Sequence, residues 1–174
     1  LYEAGTAVTF LFAGWVIGGV TVGMISDYIQ KRKPVMIVAS LMSALFFALM
    51  LYLPDLTPTI AYGVLFGFGL MNSGLIASYA MSGEINPPKV SGVSVSFCNL
   101  FSVIIGALCI PFIGIILDFY GGHQNSMGIL VYPTEAYNKI FALFPLALLF
   151  AAGVSSCLKE THCHNVHLAR ESAE

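Results

Sequence analysis

The Asp, Glu, Lys and Arg residues of this chain are few, and their densest cluster is Gly23-Met24-Ile25-Ser26-Asp27-Tyr28-Ile29-Gln30-Lys31-Arg32-Lys33. An acid and three bases packed between two long apolar stretches make a charged, water-facing turn held close to a membrane, and the chemistry they offer is ion pairing. Nothing in the chain combines a nucleophile with a base, cradles a phosphate in a glycine loop or forms a basic nucleic-acid patch. No His, Asp or Glu converges inside an apolar span or at a paired rim, so no catalytic residue, no enzyme activity and no cofactor is expected. Cys98 and Cys109 fall within a span and Cys157 near the end of one, which makes free thiols the expectation. The tail His162-Cys163-His164-Asn165-Val166-His167 groups soft and imidazole ligands. No span supplies a fourth ligand at a recognisable spacing, so it reads as a flexible polar tail and not as a metal site.

Composition defines the elements that must position these residues. The chain is 57% hydrophobic and 9% charged, with a mean hydropathy of +0.85, whereas soluble domains carry about 25% charged residues. Its charge-free runs are Ala4 to Ser26, Pro34 to Pro54, Leu56 to Gly83, Val90 to Leu117 and Ile140 to Leu158. Roughly 20 helical residues rising about 1.5 Å each match a hydrocarbon core of ~30 Å, so each run can cross a bilayer. A barrel would show short alternating segments, but Ser40 to Leu53 and Ile140 to Ala152 are apolar on both parities. The predicted fold class is therefore all-α, a polytopic membrane helix bundle with five transmembrane helices. The spans are set at about 4–26, 34–54, 58–82, 91–117 and 140–158, followed by a tail over 159–174.

Lys31, Arg32, Lys33, Lys89, Lys159 and Arg170 fall on one side of these spans and only Lys139 on the other, which makes the first side cytoplasmic. The C-terminus is then cytoplasmic and Leu1 lies outside. An opening without Met and an odd span count predict a fragment of a longer protein. A cleavable signal is not expected, because the bases follow the first apolar run instead of preceding it. Pro54 to Pro58 reads as a tight outer turn, and Asp118 to Lys139, with Gly121, Gly122, Asn125 and Pro133, as a longer linker.

Polar residues are unevenly shared. The second span has only Ser40 and Ser43 inside it and the fifth has none from Phe141 to Val154, so both should face lipid. The fourth carries Ser91, Ser94, Cys98, Asn99, Ser102 and Gly106 along one face, which should look at protein or water. Asn72 near mid-depth of the third span, with Gly69 and Tyr79 assigned to its side, and Trp15 in the first span are further candidates for a polar pathway. Amides at such depth also bridge helices. Gly14, Gly18 and Gly23, or Gly63 and Gly67, repeat at spacings that allow close helix packing. Pro111 and Pro145 can bend their helices.

Three segments resemble the C-terminal half of a major facilitator superfamily transporter. Gly23, Ser26, Asp27, Lys31 and Arg32 match the turn after the eighth helix of that family, with Tyr28 in place of a basic residue and Gln30 in place of a glycine. Glu84-Ile85-Asn86-Pro87-Pro88-Lys89-Val90-Ser91-Gly92 is similar to the turn before the eleventh helix, with Ser91 where arginine is usual. Leu158-Lys159-Glu160-Thr161 is similar to the close of many twelfth helices, with Lys159 in place of proline. The resemblance covers the whole chain as helices eight to twelve.

It implies a partial fold of that family, completed by a missing N-terminal half of the same transporter. Asp27 would cap or pair at the cytoplasmic seam with Lys31 and Arg32, in a conformational gate that also includes Gly23, Glu84 and Lys89. The eighth, tenth and eleventh helices would face a central cavity lined by Trp15, Asn72, Tyr79, Asn99 and Ser102, with the ninth and twelfth peripheral. The expected function is secondary transport by alternating access in a cytoplasmic or inner membrane. Absence of charge inside the spans points to a small neutral or zwitterionic solute as partner, besides the lipid bilayer. A coupling proton or sodium ion would bind in the missing half, or the protein would be a facilitator or exchanger; no nucleic acid is expected. The alternative is a non-transporting membrane receptor or scaffold of the same fold.

Overall fold

A computed structural model describes residues 2–53, 56–124 and 130–171. The main helices are α1 (Tyr2–Ile29), α2 (Lys33–Tyr52), α3 (Pro58–Asn72), α4 (Leu75–Glu84), α5 (Ser91–Phe119), α6 (Thr134–Phe141), α7 (Leu143–Cys157) and α8 (Val166–Glu171). A single 3-10 turn, Pro88–Val90, leads into α5, and two-residue strands β1 (His123–Gln124) and β2 (Leu130–Val131) pair antiparallel beyond it. Among the described residues, five stretches are long and apolar enough to cross a membrane: Glu3–Ile29, Lys33–Tyr52, Pro58–Glu84, Pro88–Phe119 and Thr134–Cys157. The chain is an all-α, membrane-embedded bundle whose exposed side chains include Ile110 and Phe150, each 74% accessible. Pro54, Asn125, Leu1 and the last three residues of the tail lie outside the described residues.

Local sequence explains where the helices start and break. Pro34, Pro58 and Pro88 stand in first turns, where the missing N–H has no intrahelical partner to lose. Past α1 the chain turns at Gln30, whose φ of 53° is left-handed. A side chain costs about 1–2 kcal/mol there, which is why glycine suits such a turn. The third span breaks at Ser73 and Gly74. A Cβ on Gly74 would lie 2.2 Å from the Cβ of Ala39, so the break is also where α2 comes closest. The fifth span breaks at Ala142, three residues before Pro145, whose ring crowds the Phe141 carbonyl and offers it no hydrogen. Helix α5 continues through Pro111.

Packing reverses one expectation. Helix α1 runs along α3, while α2 packs against both α3 and α7. Phe47 of α2 joins them, with Phe68 at 5.4 Å and Phe144 at 5.6 Å between ring centroids. In an 18-residue stretch of each span, 17% of the second and 22% of the fifth is buried, against 6% of the fourth. The spans poorest in polar groups are thus no more lipid-exposed than the first, because apolar helices pack by shape and dispersion as readily as by polarity. Polar atoms of α5 meet α4 only along Ser91 to Asn99, and a Cβ on Gly106 or Gly114 would touch nothing within 4 Å.

The glycines follow the same logic. Gly14 and Gly18 sit against the Phe66 and Leu70 carbonyls of α3, where an added Cβ would approach to 2.2 and 2.4 Å. Their counterpart is Gly69, whose Cβ would lie 2.0 Å from the Leu11 carbonyl. Gly23 and Gly63 have open space beside them, and Gly67 faces the Phe46 ring. The close approach therefore uses Gly14, Gly18 and Gly69 rather than either sequence repeat taken whole.

Candidate functional site

One end of the bundle is closed by a cluster centred on Arg32, the residue before α2. Its side chain is 10% exposed, and Nη1 donates to Asp27 Oδ1 at 2.6 Å and Ser26 Oγ at 3.1 Å. On the other edge Nε and Nη2 donate to Glu84 Oε1 at 3.1 and 2.8 Å. The planar guanidinium thus bridges the end of α1 and the end of α4. The two ion pairs differ in weight. Glu84 is 14% exposed and its pair is largely shielded from water, whereas Asp27 is 65% exposed and contributes little to stability through charge alone. Burial works against the Arg32 charge, but hydrogen bonds to Glu84 and Asp27 outweigh it and hold its pKa above the usual value.

The tail completes the cluster. Glu160 accepts from the backbone N–H groups of Arg32 and Lys33 at 2.8 and 3.1 Å and from that of Thr161 at 3.1 Å. Its carboxylate caps the first turn of α2, whose N–H groups have no intrahelical acceptors. Thr161 Oγ1 donates to the second oxygen of Glu84, Oε2. Further along, Asn165 Nδ2 donates to the carbonyls of Gly83 at 3.2 Å and Asn86 at 2.9 Å. Its Oδ1 accepts from the N–H groups of His167 and Leu168, which starts α8. Cys163 Sγ lies 3.5 Å from the Ser26 carbonyl as donor, and burial raises its pKa, so the thiol is protonated and able to donate. His162 and Cys163 both take left-handed backbone angles, φ 53° and 59°, to make this return. The tail expected to be flexible is docked through residue 168.

Burial alone would raise the Glu160 pKa, but backbone N–H groups of Arg32, Lys33, Thr161 and His162 overcome that and lower it. A carboxylate with a depressed folded-state pKa stabilises fully above its unfolded value, about 4.3, and loses that contribution as pH falls through the folded value. Glu160→Gln is therefore expected to cost about 2 kcal/mol at neutral pH. Thermal unfolding followed from pH 7 to pH 3 should show a steeper acid loss in the wild type than in the variant. Parallel curves would assign the acid sensitivity to another group.

Of the residues the sequence singled out for a gate, Asp27, Arg32 and Glu84 are brought together. Glu84 takes its cation from Arg32, 52 positions earlier in the chain. Lys31 and Lys89 are exposed, and the Lys31 side chain is not the charge partner of Asp27. Gly23 contacts nothing that a Cβ would displace. Ser26, Glu160, Thr161 and Asn165 complete the cluster. Glu160 and Thr161 stood in a recognised motif, but Asn165 gave no signal, since its role depends on the backbone path of the tail.

The proposed cavity residues divide. Tyr79 Oη approaches Asn99 Oδ1 at 3.4 Å, and below them Ser82, Asn86, Ser94 and Cys98 form a compact hydrogen-bonded set between α4 and α5. Ser102 Oγ turns back onto the Cys98 carbonyl at 2.9 Å, and Trp15 is exposed on α1. Asn72 is not with them. It lines a groove of about 410 Å³ with Ser40 and Ser43 of α2 and Ser155 of α7, while Gly69 meets α1 and Tyr79 meets α5. Gly69 and Asn72, three residues apart on α3, look toward different neighbours, α1 and the α2–α7 groove, and Tyr79 lies on α4 beyond the break at Ser73 and Gly74. Ser43 Oγ is, among the described residues, the one buried side-chain oxygen or nitrogen without a hydrogen-bond partner.

At the opposite end, Leu117 packs with Ala136 and Ile140. Tyr132 there donates to Asp118 Oδ1, a bond that raises the tyrosine pKa. Comparison with protein-family models and with curated proteins gives no match.

Proposed function

We propose that the chain is the later half of a secondary transporter of the major facilitator type, moving a small neutral or zwitterionic solute by alternating access. The observation that carries this reading is the Asp27–Arg32–Glu84 cluster sealed by Glu160, which ties the ends of α1, α4 and α7 to the start of α2. Such a cluster holds one end of a helix bundle shut through bonds that can be exchanged as the ends separate. The uncovered middle of α5 supports a first bundle lying against it, with a pathway between the two. The excess of Lys and Arg at the clustered end supports a cytoplasmic placement of that end and of the C-terminus.

In this reading Asp27 contributes through the gate more than through stability, because its carboxylate is mostly exposed. Asp27→Asn is expected to insert and unfold as the wild type does, while uptake into proteoliposomes falls about tenfold. The assay would screen labelled neutral and zwitterionic solutes against the protein joined to its first bundle. Unchanged uptake in the variant removes the gate. Saturable solute binding without flux in the wild type would favour the receptor.

A further inference from the structure

A second site lies at the end of the bundle remote from Arg32. Between α5 and the α6–α7 pair runs a groove of about 310 Å³, lined by apolar side chains that include Phe112, Ile116, Leu143, Phe144 and Ala147. Tyr120 and Lys139 also border it, and Lys139 Nζ stands 5.6 Å from the centre of the Tyr120 ring. Tyr120 follows the last residue of α5 and Lys139 immediately precedes the apolar run of the fifth span. Both positions place their polar tips at the boundary between hydrocarbon and headgroups, where tyrosine and lysine anchor. From Cys109 to Tyr120 the wall rises about 16 Å at 1.5 Å per residue, the scale of one leaflet.

The electrostatics select the occupant. Lys139 makes no ion pair among the described residues, not with Glu135 one turn back on α6 either, and the Asp118 carboxylate at the end of α5 is engaged by Tyr132. It is also the only Lys or Arg between Lys89 and Lys159. An unpaired ammonium above an apolar slot within the membrane complements an anionic head joined to an acyl chain. The geometry points to a binding site for an anionic phospholipid, its phosphate on Lys139 and one chain in the α5/α6–α7 groove. The inference rests on membrane embedding and not on transport. Such a lipid would bridge the last three turns of α5 to α7, beyond the uncovered middle of α5.

Native mass spectrometry of the protein taken from vesicles of phosphatidylcholine mixed equally with phosphatidylglycerol tests the site. Lysines at the other end also attract anionic lipid, so the readout is the difference between wild type and Lys139→Gln. The wild type is expected to retain phosphatidylglycerol about fivefold over the variant, the factor for one lysine near a membrane surface. Lys139→Arg should keep that preference, and Ala147→Trp, which fills the slot, should lose it. Equal retention by wild type and Lys139→Gln overturns the site. Displacement of the lipid by millimolar inorganic phosphate would also overturn it, since a free anion would then suffice without the groove.

Discussion

Arg32→Ala is expected to lower the stability of the protein by about 3–5 kcal/mol, the cost of stranding one partner of a shielded ion pair. The argument rests on Glu84, which is 14% exposed and accepts from Arg32 through one oxygen and from Thr161 through the other. Without the guanidinium its charge stays in the same pocket with only a hydroxyl to answer it. Lysine at position 32 should recover part of the loss, because one ammonium cannot reach both Asp27 and Glu84 in a planar fork. The double variant Arg32→Ala with Glu84→Ala should lose less than the sum of the two single changes, with a coupling of 0.5–3 kcal/mol, as contacting residues in general show. Denaturant or thermal unfolding in a mild detergent measures the wild type and the four variants. Strict additivity would mean that the two side chains act independently despite their 2.8 Å contact.

A second large effect is expected at Gly69→Ala. The added methyl would meet the Leu11 carbonyl, with the Leu11 carbon and Trp15 nitrogen behind it at 3.0 Å, and none of these is a flexible side chain. Helices α1 and α3 would have to separate along their whole seam, disturbing the stacked Phe10 and Tyr62 rings at 5.3 Å as well. Overpacking of this kind costs about 1–3 kcal/mol, against a gain of up to about 1 kcal/mol in helix propensity. Gly63→Ala on the same helix is the control, for its Cβ would enter open space. A net loss at position 69 beside a neutral or stabilising change at 63 is the expected pattern. Equal effects at both positions would show that the seam is loose.

The five spans were readable because lipid imposes a simple demand: long apolar runs bounded by charge. Their ends were placed within a few residues, with α1 carried on to Ile29 and the fifth span begun earlier, at Thr134. Pairing of the spans was less legible. Polarity suggested that the fourth would be enclosed and the second and fifth bare, yet Phe47, Ala39 and Ala44 make α2 a packing helix through apolar contacts. The break at Ser73 and Gly74 escaped notice, and the close passage of Ala39 beside it is a contact between distant positions. At the charged end, Asp27 and Arg32 announced themselves by type and spacing. Glu160 acts on backbone N–H groups, which have no signature in sequence, and Asn165 depends on two consecutive left-handed residues that are not glycine.

The bond from the Arg32 N–H to Glu160 joins positions 128 residues apart, and this separation has a meaning in time. At about 5–20 residues per second of synthesis, roughly 6–25 s pass between the two. Throughout that interval the start of α2 is finished but uncapped, and of its cluster partners Arg32 can meet only Ser26 and Asp27 until the fourth helix delivers Glu84. The segment from Glu160 to Asn165 therefore closes a seal that the earlier helices leave open. A ribosome that stalls within the fifth span leaves a bundle whose first turn is still open, and such a product can be told apart by its unsealed end before any question of activity arises.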